Sequence, residues 1–483
     1  MPEPYGSRMR HIPYTRMDRD ACDRIHQASL EILERTGIDV HHPKARIILT
    51  DAGAIEDGIR IRLPNHLVDW ALSVTPRQLT LFNRTGEPAI QALEDQVYYG
   101  GGSDCLYVLD HHSGKRRKAT LKDVEQAVTL MDGLKEINFV MSAFLPSDVD
   151  QDIYDRYQME VMLNKTTKPI IFVTPDFAGC QKAVEMCEIV AGGEKAFRQR
   201  PFATCYINVT SGMVANQEAL EKCIYLAKKG LPLIYIPINA AGVNSPATTA
   251  GCIASLNAGT LLGITLAQLV REGTPVAVPG WNGGPYNLQT MVGNYVLADE
   301  QGVATSMGKY YDIPVFGLGG STDSKILDQQ CAAEATISLF TAHLNGANII
   351  HDSGFMDAGM QGSLQLLAID NDLIGFIRAA TKSVDINKET LALDLIDELG
   401  PTGDYLAHDH TYNHFRDPYY SALADKRQYD DWMDQGGDTM EKRAAEQVDA
   451  ILESHQVEPL PERIQTNLRK VVADEQKRVD QEK

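Results

Sequence analysis

The sequence predicts an α/β protein built on a closed (β/α)8 barrel, with a helical cap before it and a helical extension after it. Eight short apolar runs recur at intervals of roughly 30–43 residues, and a helical pattern separates most runs from the next. The units together span just under 300 residues, near the ~250 residues usual for this TIM-barrel architecture. A doubly wound open sheet is the alternative, and eight evenly spaced units favour the barrel over it.

The elements follow in order along the chain. Residues 18–36 have an amphipathic helical pattern that ends at Gly37, and the segment RIRLPNHLVDWAL completes a small helical cap. Segment 76–112 alternates short β-like runs with turns. The eight predicted barrel strands lie at 97–99, 137–143, 170–174, 202–209, 233–238, 276–279, 315–317 and 349–351.

This pattern predicts three parts. Residues 1–96 form an N-terminal helical and β cap, 97–385 the barrel, and 386–483 a C-terminal helical extension. The last helix of the barrel is LLAIDNDLIGFIRAAT. The charged end of the chain, EQKRVDQEK, is expected to be a solvated helix.

Composition limits the classes of function. With 45 Lys and Arg against 65 Asp and Glu, the net charge is −20, which argues against nucleic-acid or anionic-membrane binding. The first residues lack the apolar core of a signal peptide, and no run of eighteen uncharged apolar residues predicts a membrane helix. The eight cysteines are scattered without a CxxC motif, which is typical of buried, reduced thiols. We therefore expect a cytoplasmic protein.

Active sites of this fold form at the carboxyl ends of the strands. The candidates at those ends are Tyr98, Tyr99, Asp104, Ser142, Thr174, Tyr206, Asn208, Tyr235, Asn239, Trp281, Asn282, the corner Gly320-Ser321-Thr322, His351 and Phe355. Aromatic rings and neutral amides dominate this set. Ring faces attract a quaternary ammonium ion, which accepts no hydrogen bond, so the set indicates a site for such a ligand. Tyrosines that merely fill the barrel core are the alternative.

Alternation along a strand predicts which side chains face the barrel axis. In CYINV, Tyr206 and Asn208 are expected to point inward. In LIYIPIN, the three isoleucines are expected to face the helices, which turns Tyr235 and Asn239 inward.

Several other kinds of site are disfavoured. The histidine-rich string at 408–414 is the one candidate for zinc, and it lies beyond the barrel, so we expect no metal. The corner FGLGGSTD lacks the third glycine of a dinucleotide fingerprint, and no GxxxxGK motif is present. The segment DHHSG comes near the DxHxxG signature of corrinoid-carrying domains, but its glycine stands one place early. Any such cofactor is therefore expected to arrive on another protein.

The segment PVFGLGGSTDSKILDQQCAAEATISLFTAHLNGANIIHDSGFMDAGMQGSLQLLAIDNDLIGFI resembles the trimethylamine methyltransferase family. YYGGGSD and DYLAHDHTYNHFRDP carry the same resemblance, which extends from about residue 20 to about residue 450. Within this family the resemblance is to glycine betaine methyltransferases. The resemblance implies transfer of a methyl group to the Co(I) of a separate corrinoid protein, with no cofactor bound directly.

Trimethylamine-specific members carry pyrrolysine where this chain has Ser321, or Thr322 if the match shifts by one residue. The resemblance thus makes Ser321 the residue at the catalytic position and argues against trimethylamine as substrate. A quaternary ammonium needs no such activation, because a neutral tertiary amine departs from it. Catalysis then depends on orientation and electrostatics.

The expected substrate is glycine betaine, and the expected product is dimethylglycine. Tyr98, Tyr99, Trp281 and Phe355 would contact the trimethylammonium group, and Asp104 would balance its charge. His351, together with Asn208 or Asn239, would hold the carboxylate; Tyr206 and Tyr235 complete the substrate-binding set.

Three other readings remain open. The substrate could be carnitine, γ-butyrobetaine or proline betaine. The chain could bind quaternary amines without catalysis, or it could be a zinc-dependent barrel hydrolase. The expected partners are a small quaternary amine and a corrinoid-binding protein, with a homo-oligomer left open.

Overall fold

Eight parallel strand segments form the centre of the fold. The structure is a computed structural model that describes residues 14–281, 283–287, 289–296 and 302–482. The barrel strands are β1 (Tyr98–Gly101), β2 (139–140), β3 (Ile170–Phe172), β4 (Ala203–Val209), β5 (Leu233–Pro237), β6 (Val276–Pro279), β7 (Val315–Leu318) and β8 (Ile349–Ser353). Each of them lies within or overlaps one of the eight predicted runs.

The barrel closes through its shortest segment. Seven strands form one parallel sheet in the order β1-β8-β7-β6-β5-β4-β3. Parallel bridges from Gly100 to Phe139 and from Val140 to Ile170 place β2 between β1 and β3. Every strand therefore neighbours the next one along the chain, which confirms the predicted barrel and leaves no open sheet edge.

A helix follows each strand of the barrel. The eight helices are α1 (Leu121–Gly133), α2 (Tyr154–Lys165), α3 (Phe177–Ala191), α4 (Gln217–Lys229), α5 (Thr249–Val270), α6 (Val303–Tyr311), α7 (Gln329–Leu344) and α8 (Leu364–Thr381). Aspartates cap two of them: Asp176 accepts from the backbone N–H of Gly179 at 2.6 Å, and Asp328 accepts from Cys331 at 3.0 Å.

Helix α5 is the most apolar helix of the ring. By length and composition it could cross a membrane, yet 89% of its apolar window is buried inside the fold. It packs against the N-terminal cap on one side and against β5 on the other. We therefore describe it as a core helix of the barrel.

The N-terminal cap combines helices and short strands. Its elements are Arg19–Glu31, a π-helical turn Ile32–Thr36, Ile38–Val40, Pro43–Asp51, Ile55–Asp57, Arg60–Arg62 and Asn65–Val74, with Val214–Ala215 joining its sheet. A hairpin of Leu79–Phe82 and Pro88–Ala92 comes next. Its buried apolar side chains cluster with Tyr98 and Ile349 from the first residues of β1 and β8. The hairpin thus plugs the amino-terminal end of the barrel and leaves the opposite end for a site.

A small sheet covers part of the carboxyl end of the barrel. Its strands are Phe355–Met356, Gln361–Gly362, Tyr107–Leu109 and Arg116–Lys118, in that order. A turn of 3-10 helix, Asp357–Gly359, separates the first two, and a two-stranded ribbon, Tyr286–Asn287 with Val292–Gly293, lies between β6 and α6.

The C-terminal extension is helical, as predicted. Its helices are Lys388–Leu391, Leu393–Leu399, Asp409–His414, Tyr429–Asp434, Met440–Ser454 and Glu462–Glu482. The expectation that the charged end is simply a solvated helix is wrong, because the buried stripe of the last helix extends into it through Glu475 and Val479. Glu475 from the same helix faces the buried guanidinium of Arg156 at 3.9 Å. The proposed three-part division of the chain remains a prediction.

Candidate active site

Four aromatic side chains meet at the carboxyl end of the barrel. Phe316 on β7 and His351 on β8 lie nearly parallel, with ring centroids 4.1 Å apart. Trp281, which follows β6, lies 5.0 Å from His351, and Tyr206 on β4 lies 5.6 Å from it. Phe316, His351 and Tyr206 are buried, whereas Trp281 is half-buried and Asn208 beyond Tyr206 is exposed. This aromatic cluster is therefore reached from the mouth of the barrel.

The hydrogen bonds of His351 fix its orientation. Its Nδ1 lies 2.6 Å from the carbonyl oxygen of Gly317, which can only accept, so Nδ1 carries a proton. Its Nε2 lies 3.4 Å from Oδ1 of Asp352. His351 and Asp352 are thus direct neighbours beside the rings.

Asp352 occupies a strained backbone position. Its φ is 80°, in the left-handed region that an aspartate seldom adopts, and such strain tends to accumulate at functional sites. Burial raises the pKa of its carboxyl, and this rise is opposed by His351 and by a hydrogen bond from the hydroxyl of Tyr295. The position of Asp352 gives the aromatic cluster a carboxylate.

Asp104 forms a second acidic position, in the loop after β1. It too has a positive φ, 65°. Its Oδ1 accepts from the amide of Gln158 at 2.9 Å and from the hydroxyl of Ser142 at 3.2 Å. Burial raises the pKa of Asp104 to about 6, because these two hydrogen bonds only partly offset desolvation.

The corner Gly320-Ser321-Thr322 after β7 is tightly enclosed. Gly320 has a φ of +81°, and a Cβ there would lie 2.8 Å from Oγ of Ser353 and 2.9 Å from Oδ2 of Asp370. Only glycine fits this close approach. Ser321 is fully buried, and its hydroxyl has no hydrogen-bond partner among the described residues.

The next residues of the corner hold a neighbouring loop. Thr322 donates from its hydroxyl to Glu334 at 2.7 Å. The carboxylate of Asp323 accepts from the backbone N–H groups of Tyr295 and Val296, each at 3.1 Å. The corner therefore positions the loop that carries Tyr295 to Asp352.

Of the predicted site residues, Tyr206, Trp281 and His351 are brought together. Phe355 lies close by, because a Cβ on Gly102 would meet both its ring, at 2.2 Å, and Oδ1 of Asp352, at 2.4 Å. Asn282 falls outside the described residues.

Two predicted tyrosines lie on the outer face of the barrel. Tyr235 packs against α5, where a Cβ on Gly263 would lie 2.2 Å from its ring. The hydroxyl of Tyr99 contacts Nδ1 of His343 on α7 at 2.5 Å. The predicted inward orientation of Tyr235 is wrong: Tyr206 pairs with Ile234, so the isoleucines of β5 face the axis.

Two further candidates have structural partners away from the mouth. Tyr98 points into the barrel, but at its amino-terminal end, where its hydroxyl accepts a hydrogen bond from the backbone of Gln91 in the plugging hairpin. Asn239 is buried and bonds to the backbone of Gly212 and Cys252 and to Ser255. We leave these two residues, with Tyr99 and Tyr235, out of the proposed site.

Sequence reasoning missed Phe316, Asp352 and Tyr295. Phe316 lies in the predicted strand 315–317, where the alternation of inward and outward side chains could have identified it. Asp352 follows His351 directly, but the predicted strand stopped at 351 whereas β8 continues to Ser353. Tyr295 comes from a loop with no periodic signal.

Comparisons with known proteins match almost the whole chain. The model of the family described as trimethylamine methyltransferase (MTTB) matches residues 5–480. Trimethylamine methyltransferase MttB of Desulfitobacterium hafniense (strain DSM 10664 / DCB-2) is 30% identical over 454 residues, which cover 93% of this chain and 92% of that protein. Glycine betaine methyltransferase of Desulfitobacterium hafniense (strain Y51) is 26% identical over 477 residues, covering 97% and 98%. The crystal structure of monomethylamine methyltransferase from Methanosarcina barkeri aligns with a TM-score of 0.48 at 12% identity, covering 92% of this chain and 89% of that one.

Proposed function

The chain belongs to the trimethylamine methyltransferase family, and from this premise we propose that it demethylates a quaternary amine, glycine betaine first among the candidates. The methyl group would pass to the reduced cobalt of a separate corrinoid protein, which is the second substrate of the reaction. Dimethylglycine would be released. A relative named glycine betaine methyltransferase, matching 97% of this chain, supports the choice of substrate.

The aromatic cluster beside Asp352 is the observation that carries the proposal. Trp281, Tyr206 and His351 lie within 5.0–6.4 Å of one another by ring centroid. Cation–π contacts of this kind contribute about 0.5–2 kcal/mol each, more when water is excluded. A trimethylammonium group can accept no hydrogen bond, so rings and a buried carboxylate are the groups suited to hold it.

The chemistry of a quaternary amine suits a site without a general acid. The nucleophile attacks a methyl carbon, the C–N bond breaks, and its electron pair stays on nitrogen as a neutral tertiary amine. No proton is needed by the leaving group, so the residues of the chain have to orient the ammonium and exclude water. The resemblance implies that Ser321, or Thr322 if the match shifts by one residue, stands where trimethylamine-specific members carry pyrrolysine, and both side chains are buried.

Asp352, which lies beside His351, would supply the main charge complement, with Asp104 in the loop after β1 as the second. Both carboxyls have a raised pKa, and a bound cation would lower it by stabilising the charged form. His351 would keep the charge of Asp352 fixed in place. The carboxylate of the substrate would lie toward the exposed Asn208 at the mouth.

A panel of amines with Co(I) cobalamin tests the proposal. Methylcobalamin formation with glycine betaine, and none with trimethylamine, is the expected result. Faster turnover of carnitine, γ-butyrobetaine or proline betaine would change the substrate but keep the chemistry. Binding of betaine without transfer would support a non-catalytic binder, and hydrolysis that is lost on chelation, without methyl transfer, would support a zinc-dependent hydrolase.

A homo-oligomer also remains a proposal, and the C-terminal extension favours it. Between residues 384 and 433 many large apolar side chains are exposed, among them Leu406 at 82% and Tyr412 at 74%. Patches of this kind commonly mark interfaces. Light scattering after chromatography should give a mass above one chain, and Leu406→Glu should lower it.

A further inference from the structure

We propose that His111, His112 and Asp449 form a binding site for one divalent transition-metal ion, with Zn²⁺ as the best chemical match. In the part of the chain that the structure describes, these three form the one group of metal-ligating side chains whose ligand atoms all lie within 4.8 Å of one another. The site lies outside the barrel mouth and is independent of the proposed methyl transfer.

The distances fit a tetrahedral ion. Nε2 of His111 lies 3.0 Å from Oδ1 of Asp449, and Nε2 of His112 lies 3.6 Å from the same oxygen. Ligands bound at about 2.0–2.1 Å in a tetrahedron are separated by about 3.3 Å, between these two values. The two imidazole rings lie 4.0 Å apart by centroid. A small adjustment of side chains would bring all three ligands onto one ion.

A simple ion pair accounts for only part of this arrangement. An ion pair between His111 and Asp449 does not require His112 nearby. The side chain of His112 is 68% exposed and free to turn to solvent, yet its Nε2 is directed at the same carboxylate oxygen. Two imidazoles and one carboxylate form a ligand set that zinc prefers, with a fourth position left for water.

The backbone on both sides of the site is held before any ion arrives. The two histidines lie in the turn between strands Tyr107–Leu109 and Arg116–Lys118, where Asp110 accepts from the backbone and the hydroxyl of Ser113, each at 2.9 Å. Asp449 lies on the helix Met440–Ser454, and the side chain of His111 is only 6% exposed. A cavity of about 440 Å³ beside the histidines gives access from solvent. Preformed ligands lower the entropic cost of binding an ion.

The ion would join two parts of the chain. The turn belongs to the sheet whose far strand is Phe355–Met356, directly after β8. The helix Met440–Ser454 belongs to the C-terminal extension. The ion would therefore cross-link the extension to the sheet that covers part of the barrel mouth.

The test uses untagged full-length protein, treated with chelator and then freed of it. Titration with ZnCl2 should give one equivalent bound and a melting temperature raised by several degrees, whereas MgCl2 should give neither. His112→Ala and Asp449→Asn should each weaken Zn²⁺ binding by at least ~100-fold, because loss of an outer-shell partner alone costs about 10- to 100-fold. Because His112 is exposed, His112→Ala should fold normally, and unfolding would not explain a loss of Zn²⁺ binding.

His414→Ala is the matched control, since His410 and His414 form another close histidine pair, with ring centroids 4.5 Å apart. It should bind Zn²⁺ as the parent protein does. Co²⁺ in place of Zn²⁺ should give the visible absorption of tetrahedral coordination, and this signal should disappear in His112→Ala. Failure of the parent protein to bind Zn²⁺, or unchanged binding in both site variants, would overturn the proposal.

Discussion

Tyr295 donates a hydrogen bond from its hydroxyl to the carboxylate of Asp352, while its own backbone N–H is held by Asp323. The first contact lowers the pKa of Asp352 and opposes the effect of burial. The second contact ties the loop after β6 to the corner after β7. Tyr295 therefore links that corner to the carboxylate of Asp352 beside the aromatic cluster.

Tyr295→Phe should weaken substrate binding without unfolding the protein. Loss of the hydrogen bond raises the pKa of Asp352 further, so less of it is ionised at a given pH. A hydrogen bond to a charged group contributes about 1.5–3 kcal/mol, so KM for glycine betaine should rise at least about tenfold. Protonated Asp352 binds the ammonium group more weakly than ionised Asp352. The increase in KM should therefore be larger at low pH than at high pH.

Tyr286→Phe is the control for this variant, because Tyr286 is exposed on the same loop. Its KM and pH profile should match those of the parent protein. An unchanged profile in Tyr295→Phe would remove the tyrosine from the site.

The two carboxylates can be ranked by paired substitutions. Asp352→Asn should lower kcat/KM for a quaternary amine by about 100-fold, equivalent to about 2.7 kcal/mol, because the charge nearest the rings is lost. Asp104→Asn should lower it by less than about tenfold, since the hydrogen bonds of Asp104 go to Gln158 and Ser142 and not to a residue of the aromatic cluster. Initial rates of methylcobalamin formation measure both effects. The reverse order would make Asp104 the main partner of the cation.

The aromatic cluster predicts that substitutions at two neighbouring strands, β5 and β6, have different effects on KM. Trp281→Leu removes a ring and should raise KM for glycine betaine by about 10- to 30-fold, the size of a desolvated cation–π contact. Tyr235→Phe should leave KM unchanged, because its ring packs against Gly263 of α5. Its hydroxyl is buried without a hydrogen-bond partner among the described residues, so its removal should not lower stability. Equal effects of the two substitutions would contradict the assignment of faces.

The barrel could be predicted from sequence because the spacing of buried runs is a local property. Even the segment 139–140, which only bridges its neighbours, falls inside a predicted run. Side-chain orientation depends on register, which long-range pairing sets. In β5 a shift of one residue exchanges Ile234 for Tyr235 at the axis, and nothing in LIYIPIN itself distinguishes the two.

The site residues that lie at the ends of strands could be predicted from the sequence more readily than those that lie in loops. Trp281, Tyr206 and His351 follow from position along their strands and from residue type. The contact between Tyr295 and Asp352 joins a loop residue to a strand residue with a strained backbone, 57 positions away. Its geometry comes from hydrogen bonds made by Asp323, and these depend on the folded backbone rather than on a sequence pattern.

Asp104 predicts how stability changes with pH. Burial raises the pKa of its carboxyl from 3.8 to about 6, so the folded chain holds this proton more tightly than the unfolded chain. Its contribution to stability is therefore fully present below about pH 4 and is lost as the pH rises through about 6.

Asparagine in place of Asp104 can still accept from Gln158 and Ser142 but carries no charge. Asp104→Asn should thus stabilise the protein above about pH 7, by at most about 3 kcal/mol for a shift of about two units, and should have little effect near pH 4. Thermal melts across this range measure the difference, with Asp57→Asn, an exposed aspartate of the cap, as the control. A variant less stable than the parent above about pH 7 would mean that the ionised carboxylate is already balanced by a positive charge in the folded protein.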